Sequence, residues 1–181
     1  MKHTLVLLLV LLTGNYLKAQ DVLVSKNATV SFYSSTVLED IEAKSTAASS
    51  ALNAKTGELI FKVNNTSFEF RKKLMQEHFN ENYMESDRYP QSEFKGKLTG
   101  DYNLKTNGTY TVKAEGVLSI HGVSKNYSTV AELTVNNGNV SARATFKVRI
   151  ADHKIQIPSL VFKKIAEFVD VKIQALYQPK N

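Results

Sequence analysis

The chain has no cysteine and no tryptophan in its 181 residues. Without cysteine there is no disulfide to form, so stability rests on burial and strand pairing alone. The same absence closes the lipoprotein route, in which acyl chains are attached to a new N-terminal cysteine. Eight tyrosines and nine phenylalanines carry the aromatic load in place of tryptophan. Long hydrophobic runs are also missing. The one unbroken apolar stretch, Leu5 to Leu12, is too short to span a bilayer. It follows the basic Lys2 and His3 and precedes Gly14 and the small Ala19, which is the pattern of a secretory signal peptide cut near Ala19 or Gln20. The expectation is a signal over residues 1–20, a single domain over residues 21–181, and a periplasmic or secreted location. No transmembrane segment remains after the cut.

Charge of one sign is not concentrated anywhere. The formal net charge is +6. Losing Lys2 and Lys18 with the signal leaves twenty-one basic against seventeen acidic residues, or +4. The basic residues are scattered, which argues against a nucleic-acid partner and for a solvated surface. There is no HxH, HxxxH or HExxH spacing around His78, His121 or His153, so no metal site and no cofactor is expected. Glu77, Glu81, Glu85 and Asp87 are acidic neighbours, but not at the spacing of an EF-hand loop. Internal repeats and low-complexity segments are absent.

What is present is alternation. Thr109 to His121 puts Tyr110, Val112, Ala114, Gly116, Leu118 and Ile120 on one face and mostly polar residues on the other. Tyr127 to Val135, Val140 to Ile150 and Val169 to Tyr177 repeat that period of two, the signature of half-buried strands. Ala28 to Ser34, Ile41 to Leu52, Leu59 to Val63 and Ser92 to Leu104 are less sharp strands. Turn signals such as NAKTG, KTNG and NNGN separate neighbours and favour antiparallel pairing. Phe70 to Tyr83 has helical spacing and predicts a short helix and loop; Ser159 to Phe168 predicts another helical turn.

The fold class is therefore all-β: about eight antiparallel strands, with one or two short helices. A barrel of that size is either filled by its side chains or holds one small ligand. Ala114, Gly116, Ala131, Ala142, Ala144 and Ala175 on the apolar faces leave volume to fill, as do Ala43, Ser45, Ala47 and Ser49, whichever face of that strand turns inward. Large residues such as Phe32, Phe61, Phe94 and Phe146 could take up part of it, so both interiors stay open. A membrane barrel is disfavoured, because Lys113, Glu115, Arg143, Lys147 and Arg149 would have to crowd a narrow lumen.

One stretch invites a catalytic reading. Ser119, His121, Ser124 and Lys125 stand close together in VLSIHGVSKNYSTV. They do not match the strand-to-helix elbow of a hydrolase. Gly122 between two strands instead marks a hairpin tip, and no enzyme is expected. In HFNENYMESDRYP, Phe79, Tyr83, Met84 and Tyr89 could cover an apolar opening, as a plug or as a ligand gate.

Phe79, Tyr89-Pro90, Phe94 and the hairpin Gly116-Val117-Leu118-Ser119-Ile120-His121-Gly122-Val123-Ser124 together resemble the YceI-like family of lipid- or polyisoprenoid-binding proteins. The resemblance spans roughly residues 21–178. It departs from many members in carrying HFNENYMES where they have an RD-type segment. The resemblance implies a lipocalin-like antiparallel barrel around an elongated apolar ligand, a lipid or isoprenoid-like molecule, and no catalytic role for the hairpin. On that basis Tyr110, Val112, Leu118, Leu133, Phe146, Val148, Val171 and Ile173 are expected in the apolar wall. Ala114, Ala142 and Ala144 are expected to give room, and His78, Tyr83 and Arg88 to stand at the mouth. The competing function is a structural or stress-response barrel with a packed interior and a protein partner. The assembly is left as monomer or homodimer.

Overall fold

The computed structural model describes residues 21–158 and 165–180. Nine strands are defined there: β1 (Val22–Ser35), β2 (Asp40–Asn53), β3 (Glu58–Asn64), β4 (Glu69–Phe70), β5 (Gln91–Thr99), β6 (Gly108–Ile120), β7 (Val123–Asn136), β8 (Asn139–Arg149) and β9 (Phe168–Pro179). They form one sheet in the order β1-β9-β8-β7-β6-β5-β3-β2, closed by pairing of β1 with β2. Every pairing is antiparallel. The two-residue β4 lies along Ala43 and Lys44 of β2, beyond the Ser49 to Leu52 stretch that pairs with β3. It continues the lane of β3, so the barrel has eight lanes. Closure removes the free sheet edge that an open sheet would expose.

The alternating residues face as their pattern requires. Val112, Ala114 and Leu118 of β6, Ala131, Leu133 and Val135 of β7, Val140 and Val148 of β8, and Ala175 and Tyr177 of β9 are buried. Charges lie outside, in pairs such as Lys62–Glu93 and Lys147–Asp170, both at 2.8 Å. Apolar inside and charged outside is the reverse of a lipid-facing barrel. Among the described residues no helix is long and apolar enough to cross a membrane.

Two hairpins show how sequence sets register. Ile120 pairs with Val123, leaving His121 (φ 51°) and Gly122 (φ 69°) as the whole loop. Asn136 pairs with Asn139 around Asn137 (φ 49°) and Gly138 (φ 80°). Positive φ at both central residues is the type I′ turn, whose twist matches the flanking strands. Gly122 is needed for a second reason: a Cβ there would sit 2.5 Å from the Tyr89 ring.

Strand limits depart from expectation where the ladder is irregular. β1 begins at Val22, not Ala28, and Leu104 lies in the β5–β6 turn. β1 carries an extra residue between Ser25 and Ala28, and β2 carries one between Ser45 and Ala48. Each bulge inverts the facing of the residues beyond it on its strand. Thus Ala43 and Ser45 are buried, then Ala48, Ser50 and Leu52, while Ala47 and Ser49 point out. The helix is α1 (Lys73–His78), continued by a π-helical turn over Phe79–Tyr83. The helical turn expected over Ser159 to Phe168 falls mostly on residues 159–164, outside the described residues; Phe168 opens β9.

Candidate functional site: a cavity at one end of the barrel

The two ends of the barrel are built differently. Leu52, Val112, Val135 and Val140 fill the end that carries the β2–β3, β5–β6 and β7–β8 turns, each no more than 3% exposed. The other end carries the β1–β2 turn, the β3–β5 connection with α1, the His121–Gly122 hairpin and the β8–β9 connection. A cavity of about 530 Å³ opens there and runs inward to Leu98, Leu133, Ala175 and Tyr177. That size is within the usual range for a small-molecule site.

The lining is mainly aliphatic and aromatic. Ala114, Ala131, Ala142, Ala144 and Ala175 contribute no bulk at mid-depth. Phe94 also lines the cavity, and its ring lies over Gly96, where a Cβ would come within 2.6 Å of it. At the mouth four rings cluster: Phe32, Phe68, Phe70 and Phe79 have centroids 5.0 to 5.8 Å apart. They come from β1, the residue that joins the 3-10 turn Asn65–Ser67 to β4, β4 itself and the π-helical turn. Short helical segments of this kind are weak alone, and this packing holds α1 against the barrel. Ile155, Ile157 and Ile165 of the β8–β9 connection complete the rim.

Among the described residues no buried polar side-chain atom lacks a hydrogen-bond partner. Asn65, fully buried, donates from Nδ2 to the Tyr89 carbonyl at 2.6 Å and accepts from Ser92 Oγ at 2.9 Å. Ser34 Oγ accepts from the Ala166 amide at 2.9 Å. Tyr177 bonds Ser50 across the interior at 2.7 Å. Burial pushes the Tyr177 phenol above its usual range, partly offset by Ser50, so it is neutral. Burial also raises Tyr83, which lines the mouth.

A second polar cluster ties the mouth segments together. Glu85 Oε2 lies 2.7 Å from His121 Nε2, and His121 Nδ1 is 3.2 Å from the His153 carbonyl. His153 is fully buried, donates from Nδ1 to Val123 O at 3.0 Å and takes the Tyr127 hydroxyl on Nε2 at 3.3 Å. Burial is the main cause holding its imidazole below the usual pKa of 6.5. Ser119 and Ser124 bond each other at 2.7 Å, away from these histidines. Neither serine has a histidine base, so the hairpin holds no nucleophile–base pair. Among the described residues no group of three or more His, Asp or Glu side chains is placed to bind a metal ion.

Of the expected site residues, Ala114, Leu118, Leu133, Ala142, Ala144, Phe146, Val148, Val171, Ile173, His78 and Tyr83 border the cavity. Three do not. Val112, 2% exposed, packs in the filled end. Tyr110 stands at that same end, its hydroxyl donating to Thr106 O at 2.9 Å. Arg88 is exposed and lies over the Tyr89 ring, 5.0 Å from its centroid. Tyr110 and Val112 share the inward face of β6 but lie too far along it, a distance that alternation does not encode. Sequence reasoning missed Phe68 and Phe70 and the three rim isoleucines. Phe68 and Phe70 stand two apart, a short strand signal; the isoleucines sit in an irregular connection and carry no periodicity.

The YceI-like domain family matches residues 20–176, and the chain belongs to that family. Solved structures share the fold at low identity. A polyisoprenoid-binding domain from Saccharophagus degradans aligns with TM-score 0.76 at 13% identity, over 89% of this chain and 99% of its own. BcnA from Burkholderia cenocepacia aligns with TM-score 0.71 at 14% identity, over 83% and 96%. The YceI protein of Campylobacter jejuni aligns with TM-score 0.58 at 14% identity, over 77% and 84%. No curated protein matches by sequence. The family and the cavity together define a lipocalin-like barrel able to enclose an apolar ligand.

Proposed function

We propose that this protein is exported and soluble, and that it carries one elongated apolar molecule, a fatty acid, polyisoprenoid or related lipid. The observation that carries the reading is a cavity of about 530 Å³ inside the barrel, lined among the described residues mainly by alanines, aliphatic residues and phenylalanines. Packed interiors tolerate few voids larger than a water. An apolar chain gains about 0.8 kcal/mol per buried methylene, so a long one is held with few polar contacts. That the Saccharophagus relative is described as polyisoprenoid-binding supports the lipid class. The apolar run of residues 5–12 supports export. The competing reading, a packed barrel acting through a protein partner, leaves this volume unexplained.

The test is native mass spectrometry of the purified protein, followed by identification of whatever denaturation releases. A stoichiometric apolar chain is expected. Protein that is empty and that takes up neither fatty acids nor isoprenoids would overturn the reading.

A further inference from the structure

We propose that Tyr177 is the depth gauge of the cavity: the ligand enters apolar end first, its chain stops at the Tyr177–Ser50 pair, and its polar head stays at the mouth. The inference rests on the carrier reading above and names the ligand as a single-chain amphiphile with one polar end.

Three observations carry it. Tyr177 lines the cavity, whereas its register partner Val140 does not and belongs to the filled end. The ring therefore stands on the boundary between the two halves. Next, the protons on this floor are already committed. Ser50 Oγ donates to the Ile60 carbonyl at 2.8 Å, which leaves the Tyr177 hydroxyl to donate to Ser50 at 2.7 Å. A carboxylate or phosphate arriving there would find no donor and would be buried without a partner, which is strongly unfavourable. A methyl end loses nothing. Last, donors do exist at the other end, where His78, Tyr83 and Lys72, the last paired with Glu39 at 2.9 Å, border the mouth.

The experiment titrates the purified protein with linear saturated fatty acids of increasing length, read by displacement of a fluorescent fatty acid. Affinity should rise about fourfold per methylene until the chain reaches the floor, then level off. Tyr177→Phe should leave that limit unchanged, and Tyr177→Ala should move it to longer chains by a few methylenes. Ala175→Leu, one inward position nearer the mouth, should move it to shorter chains, and it reports on the floor even if Tyr177→Ala fails to fold. A dicarboxylic acid at the limiting length should bind at least tenfold more weakly than the monoacid. A limit that stays put in Ala175→Leu, or a dicarboxylic acid that binds equally well, would overturn the gauge while leaving the carrier function standing. Failure of every fatty acid and of isoprenoid alcohols to bind would overturn both.

Discussion

The two halves of this barrel use the same strands and the same alternation, yet one is solid and the other hollow. The difference is visible lane by lane. Running from the filled end, β7 presents Val135, Leu133 and Ala131; β8 presents Val140, Ala142 and Ala144; β9 presents Tyr177, Ala175 and Ile173. Bulk comes first and alanine follows at the same depth on neighbouring lanes. Barrel size does not decide whether there is room inside; the depth at which small residues coincide does. Each of those alanines forgoes roughly 1.5–3 kcal/mol that a buried Leu or Ile would contribute. A bound apolar chain would restore part of that burial.

The contrast is broken most severely at the filled end. Leu52 is fully buried and no ligand can replace it. Leu52→Ala should cost about 2–5 kcal/mol, read by chemical denaturation. Added lipid should not restore the loss. At the hollow end the opposite substitution is informative. Ala144→Phe places a ring in existing space, so the fold should persist while affinity for an apolar chain falls roughly tenfold or more, the equivalent of a few lost methylenes. Unchanged binding with an intact fold would remove Ala144 from the binding wall.

The same contrast explains what could be read from sequence. β6 to β9 were legible because their ladders are regular and each inward residue is two from the last. β1 and β2 were not, because a bulge in each shifts the phase, and Ser25, Ser45 and Ser50 occupy buried positions that look polar. Ser45 and Ser50 are tolerated there because partners satisfy them, Ser67 for Ser45 and Tyr177 for Ser50, both at 2.7 Å. Which residues face inward follows from period two. How deep each one lies depends on stagger between strands, so Val112 and Tyr110 could not be separated from Ala114 and Leu118. The mouth was least legible, since its rings meet from four separate segments.

A smaller effect comes from His153, which joins the hairpin to the β8–β9 connection. Its neighbours include Asp152, which favours the charged form, and Lys125, which opposes it; burial outweighs them and depresses the pKa below 6.5. As pH falls through that value the unfolded chain takes up a proton that the folded state resists. Stability should therefore drop on acidification below about pH 6.5 and return as pH rises. His153→Gln should flatten the dependence of Tm on pH across this window, measured by thermal melts. An equally steep profile would assign the dependence to other groups.

The smallest expected effect isolates the mouth from the barrel beneath it. Glu85 holds His121 at 2.7 Å, but its side chain is 43% exposed, so solvent screens the pair. Glu85→Gln keeps the shape, removes the charge, and should lower global stability by less than about 1 kcal/mol. The local consequence should be larger than the global one. The segment from Phe79 to Tyr89 is tied to the barrel by this pair and by Asn65 on the Tyr89 carbonyl, and is braced internally by Ser86 Oγ on Asn80 at 2.7 Å. With one tie gone, amide exchange should quicken in that segment while β6 to β9 keep their protection. If ligand uptake and release quicken in parallel, the segment works as a gate. If exchange quickens and uptake does not, it is a plug, and the ligand passes by another part of the rim.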